Sequence, residues 1–370
     1  MKKLAVGILL ISLILICFTG GVLAREVTVT GYGATRSDAI SDALRQAIEQ
    51  AVGTLVESET LVSNMAVIKD EIYARARGFV QNYDIINEHW SNSQVIITAK
   101  VIVDTAPNSE LMSQLQRLKL IEVGIRDPRI AVIIPEYHNA SPISDPAAEA
   151  AIIQRLLAAG FTRVIDANQI RGIRYSSDVK SIASGNAKAV AVVVANLDVD
   201  YLIIGEAFSQ YVGNIQDSGI LSSRARVEAR LFKTDNGEII ATNNSQAGGV
   251  DITELMSAKK ALNNAGNLMG NYMVQQLLNF ASNPEKGVQL IIAGFTNYSQ
   301  VNTLEKQLRQ ITGIKNVYIR NYSNGTATID INYTGATKTL ATELENMRDI
   351  RVNITSISNS VIQGKIIANE

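Results

Sequence analysis

The only cysteine of this chain lies in an apolar segment at the amino terminus, and this position limits how the chain can be stabilised. After Lys2 and Lys3, residues 4–18 carry no charge, and small residues follow up to Ala24. A basic start, an apolar centre and a small-residue end are typical of a secretory signal peptide. We therefore expect residues 1–24 to be removed after export. The exported chain then has no cysteine, so it must fold by burying apolar side chains and without disulfides.

Two other interpretations of this segment are disfavoured. The apolar run is shorter than the roughly 20 residues that a membrane-spanning helix needs. Lipid attachment at Cys17 would call for a small residue before it, and bulky Ile16 stands there. Since no later apolar run reaches spanning length, we expect no membrane span in the mature chain. The predicted location is the periplasm or cell envelope.

Length and charge limit the number of domains and the class of partner. The 370 residues are enough for two or three domains. The 34 basic and 35 acidic residues nearly balance, and loss of Lys2 and Lys3 changes the formal charge from −1 to −3. A chain without a basic excess has little means of neutralising a phosphate backbone. We therefore expect no nucleic acid partner.

The first domain, residues 25–105, is predicted to be a small α+β domain. An alternating strand at residues 26–31 precedes a helix whose apolar positions recur from Ala39 to Val52, with Ser37 and Asp38 as capping residues. The remaining predicted elements are a helix at residues 66–77 and extended segments at residues 79–90 and 94–103. A helical linker is predicted at residues 106–128.

The middle domain, residues 129–284, is predicted to be α/β with a mixed sheet. The run IAVIIP ends at Pro135 and is of the kind found in a strand covered on both faces. Pro146 opens a helix that Gly160 ends. A second buried strand is predicted at residues 200–205, and residues 208–232 as a whole show no clean alternation. The other predicted elements are strands at 161–165, 222–233 and 238–246 and helices at 167–173, 187–196 and 253–280.

The last domain, residues 287–370, is predicted to be ferredoxin-like α+β. Asn324-Gly325 stands between two alternating segments, which is typical of a tight β-hairpin. The element order is strand, helix, strand, strand, helix, strand, which is that of the split βαβ arrangement. The strands are expected at 288–295, 317–322, 326–333 and 351–358, the helices at 300–311 and 337–347, and a further strand at 361–366.

The sequence offers little chemistry for catalysis. His89 and His138 are the only histidines, they lie in different predicted domains, and no ligand spacing surrounds them. Gly31-Tyr32-Gly33 lacks the third glycine and the GK[ST] ending of a phosphate loop, so a tight strand-to-helix turn is favoured. We predict that the protein is not an enzyme and has no catalytic residue, no cofactor and no metal.

Two acidic segments leave an alternative open. Asp198 and Asp200 flank Val199, so alternation would point both carboxylates to one side, as a calcium site or an acid–base pair requires. Loop capping is the favoured interpretation of this pair. Residues 234–238 lack the 12-residue register of a calcium loop and are interpreted as a hairpin turn.

Two segments together resemble the flagellar assembly protein T family. The first is EVTVTGYGATRSDAISDALRQAIEQAVGTLVESET, followed by ARGFVQNYDIINE, and it is similar to the amino-terminal domain of that family. The second is RIAVIIPEYHNASPISDPAAEAAIIQRLLAAGFTRVIDANQIRGI with DVDYLIIGEAF, and it looks like the middle domain. That middle domain is in turn similar to the amino-terminal domain of TolB and to the periplasmic part of the curli secretion channel. The resemblance covers residues 25 to about 282.

This resemblance implies a non-enzymatic periplasmic scaffold or assembly component at an envelope-spanning machine, in the flagellar case around the basal body. Its partners would be proteins of that machine, and an outer-membrane export complex related to the curli channel is the alternative. A secreted ligand-binding or hydrolytic protein is a third hypothesis. A homo-oligomer is expected to form through an unpaired strand edge of the last domain.

A partner or ligand surface is expected at the carboxyl ends of the parallel strands of the middle domain. The candidate residues are Pro135, Glu136, Tyr137, His138, Gly205 and Glu206.

Overall fold

The computed structural model describes residues 24–59, 72–91, 93–106, 109–166, 176–177, 179, 181, 197–215, 218–283, 286–347 and 350–367. Except for Ala24, the expected signal peptide lies outside the described residues, as do the helices expected at 167–173 and 187–196. The mixed α/β and α+β fold class is confirmed. The chain divides into two compact units, residues 1–119 and 120–370.

The first unit is a three-stranded antiparallel sheet with helices. Its elements are β1 (Ala24–Gly33), α1 (Arg36–Glu59), a 3₁₀ helix (Tyr73–Phe79), β2 (Val80–Ser91), β3 (Gln94–Asp104) and α2 (Glu110–Lys119). The strand order is β1-β3-β2. An α-helix is predicted at 66–77, of which the structure describes residues 72–77. Residues 73–77 belong to the 3₁₀ helix, whose turns are tighter than those of an α-helix.

Helix α1 packs on this sheet through small side chains. Ala39, Ala43 and Ala47 are fully buried, and a Cβ atom placed on Gly31 would lie 2.1 Å from the Ala39 carbonyl oxygen. Gly31 and Gly33 therefore belong to β1 and permit close approach of the helix, whereas the sequence pattern favours a tight turn there.

The start of α1 and the packing of α2 follow from local chemistry. Thr35 and Asp38 exchange hydrogen bonds, from the Thr35 amide to the Asp38 carboxylate and from the Asp38 amide to Thr35 Oγ1, both 3.2 Å. Thr35 is therefore the capping residue before Arg36, and Asp38 completes the capping box from the first turn; Ser37, also expected as a cap, lies inside the helix. Leu111, Leu115 and Leu118 of α2 are buried in the same core as α1.

The amino-terminal part of the second unit is a mixed sheet. It contains β4 (Arg129–Ile133), β5 (Glu136–His138), β6 (Ser141–Pro142), α3 (Ala147–Ala158), β7 (Arg163–Asp166), β8 (Tyr201–Ile215), β9 (Ile220–Lys233), β10 (Ile239–Asp251) and α4 (Glu254–Ser282). The main order is β10-β9-β8-β4-β7, with β4 parallel to β7 and β8 and the other two pairs antiparallel. Helices α3 and α4 share the core on one face of this sheet.

Strand β8 is much longer than the sequence pattern predicts. The pattern ends the strand at Gly205, whereas it continues to Ile215 as half of a long hairpin with β9. The alternation is interrupted because the register shifts between Tyr211 and Gly213, and Gly213 has φ +153°. One inserted residue moves the following side chains to the opposite faces, which hides the strand from a period-two pattern.

The carboxyl-terminal part of the second unit is a five-stranded sheet with two helices. It contains β11 (Lys286–Ala293), α5 (Tyr298–Leu308), β12 (Ile314–Ser323), β13 (Thr326–Tyr333), α6 (Thr337–Glu345), β14 (Arg351–Ile357) and β15 (Val361–Ile367). The strand order is β12-β13-β11-β15-β14.

This sheet departs from a strict ferredoxin-like arrangement at its last two strands. Strands β11, β12 and β13 have the expected split βαβ arrangement, with β13 between the other two. Strand β15 then pairs in parallel with β11 and places β14 at the edge. The additional strand expected at 361–366 is confirmed, and it occupies an interior position.

Candidate functional site

The residues expected to form a surface do lie side by side in the second unit. Strand β5 pairs with β8 just beyond Gly205, with Glu136 opposite Ala207 and His138 opposite Ser209. The Pro135 carbonyl accepts a hydrogen bond from the Ala207 amide at 2.9 Å. The two candidate segments thus meet at the carboxyl ends of the parallel strands β4 and β8.

The Glu136 carboxylate is occupied within the fold. Glu136 is fully buried and accepts hydrogen bonds from the amides of Ala147, Ala148 and Glu149 at 2.9, 2.7 and 2.9 Å. These amides belong to the first turn of α3, which has no side-chain cap at Pro146. A carboxylate at this position stabilises a helix start. Glu136 therefore holds α3 against β5, and its carboxylate is engaged by the amides of the helix instead of by a partner.

Gly205 and Glu206 are constrained by strand β9. A Cβ atom on Gly205 would lie 1.9 Å from the Glu228 carbonyl oxygen, so only glycine fits there. Glu206 is half-buried and stands opposite Glu228 in the register of β8 and β9. Gly205 is thus a packing residue.

Tyr137 belongs to an aromatic stack on the sheet. Its ring lies 5.4 Å from that of Phe208 with an interplanar angle of 16°, and the Arg226 guanidinium lies 6.0 Å from the Phe208 ring centroid. The side chain of Arg226 is half exposed. This stack fixes β5 on β8 and leaves a cationic group at its outer side.

His138 stands in a hydrogen-bonded chain that has the composition of a hydrolase triad. Its Nδ1 lies 3.0 Å from Ser209 Oγ and its Nε2 lies 3.0 Å from Glu254 Oε1. Asn139 donates a further hydrogen bond to the same Glu254 oxygen at 2.7 Å. Sequence reasoning missed Ser209 and Glu254, because they lie on β8 and α4, far from His138 along the chain.

The geometry of this chain does not support nucleophilic attack by the serine. Ser209 is 2% exposed, and its hydroxyl lies 3.2 Å from the Tyr137 carbonyl oxygen, to which it donates. A serine nucleophile needs an open approach to its oxygen. Here the network instead joins β5, β8 and the first turn of α4.

The two carboxylates proposed as a pair have separate roles. Asp198 forms an ion pair with Arg129, and its side chain is 92% exposed. Asp200 accepts from the Arg129 amide at 2.9 Å and from Asn359 Nδ2 at 2.8 Å. Within the described ranges, no group of three or more histidine, cysteine, aspartate or glutamate side chains could hold a metal ion.

Exposed apolar side chains gather at one end of the β8–β10 sheet. We call this surface the ribbon tip, and its large apolar side chains are 38–76% exposed. The register places Gly213, Ser222 and Val250 in one cross-strand row, which brings the end of β8 and the β10–α4 junction together. The ribbon tip consists of Tyr211, Val212, Ile215, Val250, Ile252, Leu255 and Met256.

Sequence reasoning missed the ribbon tip because the bulge hides the second half of β8. Charged side chains lie beside this surface. Asp251 pairs with Lys260 at 3.2 Å, and the Ile252 amide and this lysine hold the pKa of the Asp251 carboxyl below its usual value. No helix among the described residues is long and apolar enough to cross a membrane.

Comparisons with known proteins find solved structures that match part of the chain. No family model and no curated protein matches the chain. The hypothetical protein CT253 from Chlamydia trachomatis is 10% identical with a TM-score of 0.26, over 42% of this chain and 98% of that protein. Lipoprotein GNA1162 from Neisseria meningitidis is 13% identical with a TM-score of 0.25, over 41% and 99%. A PelC dodecamer from Paraburkholderia phytofirmans is 16% identical with a TM-score of 0.23, over 40% and 87%. At these values the similarity carries no argument about function.

Proposed function

We propose that this chain is a non-enzymatic protein of the periplasm or cell envelope, and that it acts as an assembly or scaffold component by binding protein partners. The observation that carries the proposal is the ribbon tip. Contiguous apolar patches on monomeric proteins are small, and larger ones mark interaction sites. The core of a protein–protein interface is apolar and poor in charge, and the seven side chains of the ribbon tip carry no charge.

The sequence supports the proposed location in the periplasm or cell envelope. The apolar segment at residues 4–18 has the pattern of a signal peptide. The burial of Ser209 supports a non-enzymatic role, because the one serine–histidine–glutamate chain among the described residues has no accessible nucleophile. The resemblance of residues 25–282 to flagellar assembly protein T makes the flagellar basal body the machine that we propose.

Site-specific photo-cross-linking in intact cell envelopes tests this function. A photoreactive amino acid is placed at Val212 or Ile252 in the ribbon tip, and a control is placed at Gln246, which is exposed on the same sheet. Cross-linked products are purified and identified by mass spectrometry, with extraction compared in the presence and absence of detergent. We expect basal-body proteins to be cross-linked from both tip positions and not from Gln246.

Three outcomes would contradict part or all of the proposal. Products that require detergent and lack basal-body proteins would favour an outer-membrane export assembly related to the curli channel. Equal cross-linking from Gln246 and the tip would remove the ribbon tip as the interface. Absence of any reproducible product would overturn the scaffold function.

A further inference from the structure

A cavity of about 310 Å³ lies within the second unit, between its two sheets. Its wall includes three cationic side chains, those of Arg126, Lys233 and Lys286. The rings of Tyr201 and Phe280 form another part of the wall, with their centroids 6.2 Å apart. A cavity that combines several cations with an aromatic wall has the composition of a ligand site.

The two lysines are held in surroundings that disfavour their charge. Lys233 is 5% exposed, and its ammonium lies 5.6 Å from the Phe280 ring centroid. Lys286 is half-buried and donates a hydrogen bond to the Gly124 carbonyl. Burial lowers the pKa of both lysines, and Arg126 and Lys233 lower the pKa of Lys286 further. Cations that repel one another in a desolvated place are stabilised when an anion binds between them.

The acidic groups near Lys233 do not fill this role. The Asp235 carboxylate accepts from the Ser360 amide at 2.7 Å and from Ser358 Oγ at 2.9 Å. Glu238 is exposed, and its carboxylate lies 3.4 Å from the Asn236 side-chain nitrogen. Both carboxylates only partly offset the effect of burial on the pKa of Lys233.

The amino-terminal end of α6 adds positive potential to the same cavity. Residues 334–337 line it, and α6 begins at Thr337. The preceding residue, Ala336, has no side-chain acceptor, so it does not cap the first turn. The amide groups of an uncapped first turn attract anions.

We propose that this cavity binds the phosphate group of a small phosphorylated ligand. A phosphate carries nearly two negative charges and several acceptor oxygens, which match two or three cations better than a single carboxylate does. The cavity is larger than one phosphate needs, so the Tyr201 and Phe280 rings receive the organic part of the ligand. This site is separate from the ribbon tip and extends the protein beyond a scaffold function.

The test measures binding of inorganic phosphate and of phenyl phosphate to the purified chain by titration calorimetry, with sodium chloride matched in ionic strength as the reference. Thermal unfolding is followed with and without each compound. The variants are Lys233→Met and Lys286→Met, and the control is Lys365→Met, an exposed lysine on β15. Methionine keeps the length of the side chain and removes its charge.

We expect saturable 1:1 binding of both compounds, with the tighter binding for phenyl phosphate. Each cavity variant should weaken this binding at least tenfold, and Lys365→Met should leave it unchanged. Without phosphate, Lys233→Met should have a higher Tm than the wild type, because the substitution removes a desolvated charge. Addition of phosphate should raise the Tm only of proteins that retain both lysines. Binding that persists in both cavity variants, or a Tm shift that sodium chloride reproduces, would overturn the proposal. Equal affinity for the two compounds would overturn the role of the rings.

Discussion

At the scale of single residues, the buried carboxylate of Glu136 determines how α3 begins. It satisfies three amides that have no partner within the helix, and it replaces the cap that Pro146 cannot supply. The sequence pattern places Glu136 in a partner surface because it follows the carboxyl end of a predicted parallel strand. The donors come from residues 147–149, and only the fold shows that they meet the carboxylate.

We expect Glu136→Ala to reduce the free energy of unfolding by about 3 kcal/mol, because buried amides lose a charged acceptor. Urea unfolding followed by far-ultraviolet circular dichroism measures the change. Glu343→Ala, an exposed glutamate on α6, is the control and should change stability by less than about 0.5 kcal/mol. A small effect of Glu136→Ala would mean that water replaces the carboxylate.

Because Lys233 is buried, we expect the free energy of unfolding to depend on pH. Burial lowers its pKa below the ordinary value of 10.5, so the folded protein loses this proton at a lower pH than the unfolded chain does. Stability rises with pH wherever the unfolded state binds more protons. The cost of the charged lysine is therefore full at neutral pH, falls as pH rises through the lowered pKa, and is gone by about pH 10.5.

The stability advantage of Lys233→Met over the wild type should accordingly be largest near pH 7 and should shrink towards pH 10. Denaturant titrations of both proteins at several pH values measure this difference. Burial raises the pKa of Tyr201, but Tyr201 is present in both proteins and its effect cancels to first order. A difference that stays constant between pH 7 and 10 would argue against a desolvated Lys233.

At the scale of elements, helices α3 and α4 are packed closely through glycine. A Cβ atom on Gly266 would lie 2.5 Å from the Ala148 carbonyl oxygen, and one on Gly270 would lie 2.8 Å from Arg155 Cβ. By contrast, no atom of the described residues lies within 4 Å of a Cβ atom placed on Gly53 in α1.

We expect Gly266→Ala to destabilise the second unit by about 2 kcal/mol, since the backbone of α3 must move. Gly53→Ala should stabilise the first unit by up to about 1 kcal/mol, because alanine is the better helix former. The only tryptophan, Trp90, lies in the first unit, so its fluorescence reports that unit and circular dichroism reports both. Equal effects of the two substitutions would contradict the close packing of α3 and α4.

The elements also show where sequence patterns succeed. The Asn324-Gly325 turn and the alternating strands around it are confirmed, because a tight hairpin is specified by neighbouring residues. The β8 strand and the β15 position could not be predicted. A bulge at Tyr211–Gly213 interrupts the local pattern of β8, and the pairing of β15 with β11 depends on residues distant in the chain. The Ser209–His138–Glu254 network escaped prediction for the same reason as β15.

At the scale of the whole molecule, the hairpin loop between β9 and β10 makes a polar contact between the two sheets of the second unit. Asp235, between β9 and β10, accepts hydrogen bonds from the residue 358–360 turn between β14 and β15. Its other carboxylate oxygen is buried without a hydrogen-bond partner among the described residues. Asp235 thus supplies one polar contact between the two sheets, in addition to those of Asn359 with Asp200 and of Lys286 with the Gly124 carbonyl.

We expect Asp235→Ala to weaken the coupling of the two sheets, so that the carboxyl-terminal sheet unfolds several degrees below the rest of the unit. Differential scanning calorimetry should then resolve an additional transition, and the amides of β11 should exchange faster with deuterium. Asp145→Ala removes an exposed ion pair with Lys259 and should leave both measurements unchanged. A uniform shift of one transition in Asp235→Ala would show that other contacts couple the sheets.

The interior position of β15 has a consequence for how the chain would fold under the proposed export. Residues 289–293 of β11 pair in parallel with residues 361–365 of β15. In a chain threaded through a membrane with its amino terminus first, β11 emerges long before β15 and keeps one open edge in the meantime. Such late, distant pairing is slow. Under the proposed export, this open edge of β11 can pair with another strand until β15 has emerged.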